Sequence, residues 1–155
     1  MCTGTIYIYG KSDRAVQISS SNEVVLAADD QGATAFEVVA CLASGTVSAA
    51  ELPDCVSFMD ASRPGWYIRH MASFLIVDPK NSTDNLAVFN ADSSFIVHQN
   101  ESSMPVTYAV ESVNYHWYYI SSLADGRLRL DRLADLQDMT FTVSGSTTLS
   151  MYTRF

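Results

Sequence analysis

One stretch of this chain is written three times with falling fidelity, and that self-similarity constrains the fold more than any local motif. The clearest copy runs Trp66-Tyr67-Ile68-Arg69-His70, then Leu75-Ile76-Val77-Asp78, then Phe89-Asn90-Ala91-Asp92-Ser93-Ser94-Phe95. A second reads Tyr118-Tyr119-Ile120-Ser121-Ser122, Leu128-Arg129-Leu130-Asp131 and Asp138-Met139-Thr140-Phe141. A fainter first copy reads Val16-Gln17-Ile18-Ser19-Ser20, Leu26-Ala27-Ala28-Asp29 and Ala33-Thr34-Ala35-Phe36. A unit of roughly 50 residues cannot bury its apolar face alone, so three such units must close on one another.

Within the copies the apolar residues alternate, as in Ile6/Ile8, Leu75/Val77, Leu128/Leu130 and Phe141/Val143. That is the period of half-buried strands, and the Tyr, Phe, Val, Ile and Thr crowding these segments suit it. Turns are written at Arg63-Pro64-Gly65, Asp78-Pro79-Lys80-Asn81 and Ala124-Asp125-Gly126. The middle copy then reads as strands near 55–60, 66–70, 74–77 and 94–98. About four strands per copy predict an all-β, β-trefoil-like barrel. It would form a single domain over 1–155, with repeats at about 1–45, 46–103 and 104–155. Helical signals are nearly absent; only Ser48-Ala49-Ala50-Glu51-Leu52 carries a capping-box spacing.

Registering the copies on Ile18, Ile68 and Ile120 aligns Ile8, Phe58 and Val110 upstream, and Phe36, Phe95 and Phe141 downstream. These are core positions, each stabilising by roughly 1.5–3 kcal/mol. They define the scaffold and say nothing about a ligand.

Charge narrows the partners. A formal net charge of −8 with only nine Lys and Arg excludes a phosphate-backbone interface, so no nucleic acid is expected. The same scarcity of cations disfavours an anionic membrane surface, and no apolar run reaches the ~20 residues that would insert into a bilayer. The segment 1–10 lacks the basic start and apolar core of a secretory signal, so the chain is made without one or begins after processing. Cys41 and Cys55 can pair, leaving Cys2 over, or all three can be ordinary thiols. No phosphate loop or Cys/His metal spacing is present, and no cofactor is implied. Catalysis is not expected: no strand-to-helix nucleophile turn is written, and paired glycosidase carboxylates need a cleft that a small barrel seldom offers.

The runs Arg63-Pro64-Gly65-Trp66-Tyr67-Ile68-Arg69-His70, Phe74-Leu75-Ile76-Val77-Asp78-Pro79 and Leu86-Ala87-Val88-Phe89-Asn90-Ala91-Asp92-Ser93-Ser94-Phe95 resemble the arabinose-binding domain of fungal arabinofuranosidase B. Glu111-Ser112-Val113-Asn114-Tyr115 and Leu128-Arg129-Leu130-Asp131 extend the resemblance into the third copy. It implies a β-trefoil that binds arabinofuranose side chains of plant polysaccharides, with one shallow pocket per subdomain. It also implies that the pockets use the His after the Tyr-Ile-Arg run and the Asp before the Ser/Thr-Phe element. The middle copy has both, His70 and Asp92. The third has Asp138 but Ser122 for the His, and His116-Trp117 for the usual Pro-Gly; the first has Ser20 and Ala33, and reads as a structural lobe.

Elementary chemistry fits a sugar site. A carboxylate accepts from two vicinal hydroxyls, and such charge-assisted bonds are the stronger class. A neutral imidazole adds a third contact. Aromatic rings such as Trp66, Tyr67 or Tyr118 pack on the apolar face of a sugar. The candidate ligand-binding residues are therefore His70, Asp92, Tyr67, Trp66, Asp138 and Tyr119. Each has a plain structural alternative: a turn contact for either Asp, packing for His70, burial at the barrel rim for Trp66. Asp29, Asp78 and Asp131 recur at strand ends and read as turn contacts.

The expected function is a non-catalytic, lectin-like carbohydrate-binding protein with a shallow pocket in its second repeat, taking a small terminal sugar such as arabinofuranose. Asp92→Ala is expected to abolish binding while leaving the melting temperature within a few degrees. One such pocket binds weakly, so avidity would need a homo-oligomer or a multivalent glycan. The alternative is a protein-interaction trefoil, a protease inhibitor or assembly subunit, with remnant sugar pockets.

Overall fold

The computed structural model describes residues 4–27, 32–132 and 139–145. Antiparallel strands dominate them, with a short α-helix and single turns of 3₁₀ helix between strands. In chain order the strands are β1 (Gly4–Tyr9), β2 (Val16–Ile18), β3 (Val24–Leu26), β4 (Ala35–Ala40), β5 (Cys55–Asp60), β6 (Trp66–Met71) and β7 (Phe74–Pro79). Helix α1 (Leu86–Asp92) follows, then β8 (Phe95–Asn100), β9 (Thr107–Ser112), β10 (Tyr118–Ser122), β11 (Leu128–Arg132) and β12 (Thr142–Gly145). The middle-copy strands expected near 55–60, 66–70, 74–77 and 94–98 correspond to β5, β6, β7 and β8, with the last three running one or two residues further.

Two sets of pairings organise the chain. β12 pairs β1, β1 pairs β4, β4 pairs β5, β5 pairs β8 and β8 pairs β9. Tyr108 in β9 and Phe141, just before β12, exchange backbone bonds of 2.8 and 2.9 Å, which joins the two ends of that series. The remaining strands form the hairpins β2–β3, β6–β7 and β10–β11. Each hairpin touches the other two, through Glu23↔Ile76, Val25↔Arg127 and Arg129↔Phe74. Gly126 makes the second of these approaches possible, Val25↔Arg127: its φ is +91°, and a Cβ there would stand 2.8 Å from the Leu26 carbonyl oxygen.

The inward residues are those the alternation marks. Phe36, Phe58 and Phe95 are wholly or almost wholly buried, with Val38, Val56, Leu75 and Val77 around them. Ile8, Phe58, Val110, Ile68, Ile120 and Phe141 face one apolar void of about 30 Å³ where the two sets of strands meet.

Helix α1 corrects the near absence of helical signals. Asn85 caps it, its side chain accepting the Val88 N–H at 3.2 Å, and the buried Phe89 anchors it. Seven residues are too few for a 3.6-residue apolar period to stand out. The 48–52 segment is only a turn leading into a 3₁₀ helix over Leu52–Asp54, although Ser48 Oγ does accept the Glu51 N–H as the spacing predicts, at 3.3 Å.

Cys41 and Cys55 are joined in a disulfide, their Cα atoms 5.3 Å apart across a sequence separation of 14; Cys2 lies outside the described residues. Closing a loop of that length removes chain entropy worth about 3 kcal/mol from the unfolded state. Replacing both cysteines by alanine is expected to lower Tm by about 6–12 °C. Calorimetry under non-reducing conditions checks this, and a drop of under about 2 °C would deny the bond a stabilising role.

Candidate functional site

His70 and Asp92 meet. On β6 the side chains alternate: Ile68 and His70 share one face, and Arg69 turns the other way, under α1, its guanidinium 5.0 Å from the Phe89 ring. Asp92 closes α1, so the helix delivers its carboxylate beside the end of β6. His70 Nε2 stands 3.4 Å from Asp92 Oδ1, and Arg69 Nη2 donates to Asp92 Oδ2 at 3.0 Å. A second carboxylate, Asp78, accepts from Arg69 Nη1 at 3.2 Å. Asp78 thus answers an arginine, and Asp131 likewise accepts from Arg129 at 3.0 Å; Asp29 lies outside the described residues.

A third segment, the loop between β9 and β10, completes the group. Asn114 Nδ2 donates to Asp92 Oδ1 at 2.8 Å, which turns its carbonyl oxygen toward His70 Nε2 at 2.9 Å and Ser112 Oγ at 2.8 Å. A carbonyl accepts only, so the neutral His70 ring carries its proton on Nε2 and keeps Nδ1 as an acceptor. Tyr115 stands edge-on to His70, ring centres 5.2 Å apart, and Tyr118 lies 6.3 Å beyond it. Donors, acceptors and a half-exposed ring are thereby gathered on one rim. Among the described residues Arg69 Nε has no hydrogen-bond partner.

The pair is more enclosed than a shallow pocket implies. His70 is 6% exposed and Asp92 8%, because Asn114 and Tyr115 fill the space in front of them. The ion pair to Arg69 gives a reason to expect a larger loss of Tm in Asp92→Ala than a few degrees, since that change strips a buried guanidinium of one of its two carboxylates.

The other candidates go elsewhere. Tyr67 packs edge-on against Phe89 of α1, centres 6.4 Å apart. Trp66 packs against the core and carries the Arg63 guanidinium 4.2 Å above its ring. Tyr119 lies 5.9 Å from the His98 ring in a separate cluster around Glu111. That carboxylate accepts from His98 Nε2 and from the Trp117 backbone N–H, both at 2.8 Å. Burial, and then the charge of Glu111, pushes the Tyr119 hydroxyl above its usual pKa. Asp138 lies outside the described residues. Arg69, Asn114 and Tyr115 were not singled out from the sequence, although each stands inside a quoted motif.

One strand, a helix and a loop thus hold an imidazole, a carboxylate and an amide together, with the Ser112 hydroxyl 3.4 Å from His70 Nε2; no group of three metal-ligating side chains occurs among the described residues. No helix among those residues is long and apolar enough to cross a membrane.

Comparison with known proteins gives one family and a set of shared folds. The family model described as "Alpha-L-arabinofuranosidase B (ABFB) domain" matches residues 1–146. No curated protein matches the sequence. A GH54 α-L-arabinofuranosidase soaked with a cyclic sulfate inhibitor superimposes with a TM-score of 0.69 at 17% identity, over 94% of this chain and 32% of its own. An arabinofuranosidase complexed with arabinofuranosyl-α-1,2-xylobiose gives 0.68 at 15%, over 99% and 32%. A Gallus interleukin-1 beta mutant gives 0.67 at 13%, over 94% and 97%. At these identities the likeness is one of fold, and the chain spans about a third of the arabinofuranosidases it matches.

Proposed function

The chain belongs to the alpha-L-arabinofuranosidase B (ABFB) domain family, and from that premise we propose that it is a non-catalytic carbohydrate-binding domain. The observation that carries this reading is the convergence of His70, Asp92 and Asn114, from β6, α1 and the β9–β10 loop, within 3.4 Å of one another. Asp92 accepts from sugar hydroxyls while Arg69 holds it in place from behind. His70 Nδ1 accepts from a third hydroxyl. Tyr115, 55% exposed, is the ring on which the sugar stacks, in place of Trp66, whose ring lies under Arg63. The ligand is a terminal arabinofuranosyl unit, the sugar named in one structurally similar enzyme's complex.

The architecture is read as a β-trefoil with units at about 1–45, 46–103 and 104–155. The six-strand series from β12 to β9 with its Tyr108–Phe141 link, and three mutually bridged hairpins, support that reading.

Isothermal titration with an arabinofuranosyl xylo-oligosaccharide tests the function. A small site satisfying a few hydroxyls is worth about 4–6 kcal/mol, so Kd should fall between roughly 50 μM and 1 mM. No heat at several millimolar ligand would remove the assignment. The protein-interaction reading draws on Trp117, 69% exposed; capture of one defined protein partner, with that titration blank, would favour it.

A further inference from the structure

Two stretches of the chain, Asn81-Ser82-Thr83 and Asn100-Glu101-Ser102, carry the Asn-X-Ser/Thr pattern that accepts an N-linked oligosaccharide. So short a pattern acquires meaning only where the fold presents it and the compartment supplies the donor. The Cys41–Cys55 disulfide speaks to the compartment. Such bonds form and persist in oxidising spaces, among them the lumen in which eukaryotic cells attach these glycans.

The fold separates the two stretches. Asn81 sits in the middle of a 3₁₀ turn, Lys80–Ser82, between β7 and α1. It is exposed, and its carboxamide makes no hydrogen bond among the described residues. The turn is held without it. Lys80 N donates to the Gly65 carbonyl at 2.9 Å, Ser82 Oγ donates to Asp78 Oδ2 at 3.2 Å, and Thr83 Oγ1 accepts from Asn85 N at 3.1 Å. A substituent on Asn81 Nδ2 therefore breaks none of these bonds and meets solvent. Asn100 differs. It ends β8 opposite Thr107, and its Oδ1 accepts the Ser102 N–H at 3.1 Å, which fixes the carboxamide against its own turn.

We propose that Asn81 is an N-glycosylation site, a modification that does not rest on the sugar-binding reading. In the transfer, Asn81 Nδ2 attacks the anomeric carbon of an oligosaccharide carried on a lipid pyrophosphate. The C–N bond forms, the C–O bond to the pyrophosphate breaks, and the leaving pyrophosphate keeps the electron pair. The proton lost from Nδ2 passes to a base of the transferase, and nothing is oxidised or reduced. The neighbouring surface suits a glycan. Leu86 and Val88, 50% and 49% exposed, follow on α1, and a hydrated chain beside them screens apolar surface from self-association. Asp92 closes the opposite end of α1, about 9 Å along its axis from Leu86, so the attachment point stays clear of the His70–Asp92 rim.

The test secretes the full chain from yeast behind a cleavable leader and, in parallel, isolates the protein from its own cells. Both samples are treated with peptide N-glycosidase in heavy-oxygen water, which labels each asparagine that carried a glycan, and are then peptide-mapped. The expected result is label at Asn81 in both, absent without the enzyme. A glycan-dependent gel shift should disappear in Asn81→Gln and in Thr83→Ala, and persist in Thr83→Ser, which keeps the hydroxyl. The variants are read in cell extracts as well as in the medium, so a chain retained for misfolding still reports. Label at Asn100 alone, secreted protein unlabelled at Asn81, or protein from its own cells without a glycan there would each overturn the assignment.

Discussion

Asp92→Asn is expected to weaken binding of arabinofuranosyl ligands by more than about 100-fold, beyond detection for a site that begins near millimolar. The reason is geometric as well as electrostatic. Asp92 receives Arg69 on one oxygen and Asn114 on the other, so both of its edges are arranged to face donors. An amide in its place presents an NH₂ to one of those donors, which reverses the polarity of that contact. Hydrogen bonds to a charged acceptor are worth about 1.5–3 kcal/mol each, and two of them amount to most of the binding energy available here. The change conserves volume but takes one carboxylate from the buried Arg69 guanidinium, so circular dichroism must first verify that the variant is folded. Titration showing undiminished affinity in a folded variant would place the sugar elsewhere on the molecule.

The same network shows what could be read from the amino-acid order and what could not. Phe36, Phe95 and Phe141 are legible because strand alternation and the repeat place them inside by two independent arguments, and all three are buried. His70 and Asp92 are legible because a motif puts them at fixed points of one repeat. Arg69 is not: a charged residue between two inward ones on a strand reads as facing water, and only α1, a helix too short to leave a periodic signature, covers that face. Asn114 is hidden for another reason. It looks like a turn residue of the following repeat, and its role appears only when the β9–β10 loop folds against the preceding unit. Trp66 misleads through its place in the same run, because Arg63 rather than the His70 rim claims its ring.

Arg69→Met should produce the largest loss of stability among single changes around the site. The Arg69 side chain is 10% exposed and bridges Asp92 and Asp78. Methionine matches its aliphatic stem but leaves two carboxylates facing an apolar side chain with no cation between them. Breaking a buried pair in this way costs about 3–5 kcal/mol, which for a chain of 155 residues lowers Tm by about 6–20 °C. Asp78 is the more exposed of the two acids, so water recovers part of its loss, and most of the penalty falls on Asp92. That assignment has its own consequence. Adding Asp92→Asn to Arg69→Met removes the stranded charge, so the double variant is expected to melt above the single one, a coupling of the sign that contacting partners show. A general packing defect would instead make the second change add to the first. If Arg69→Met melted within about 2 °C of the parent, the guanidinium would contribute nothing to the fold, and Asp92 would have to be held by Asn114 and the end of α1 alone.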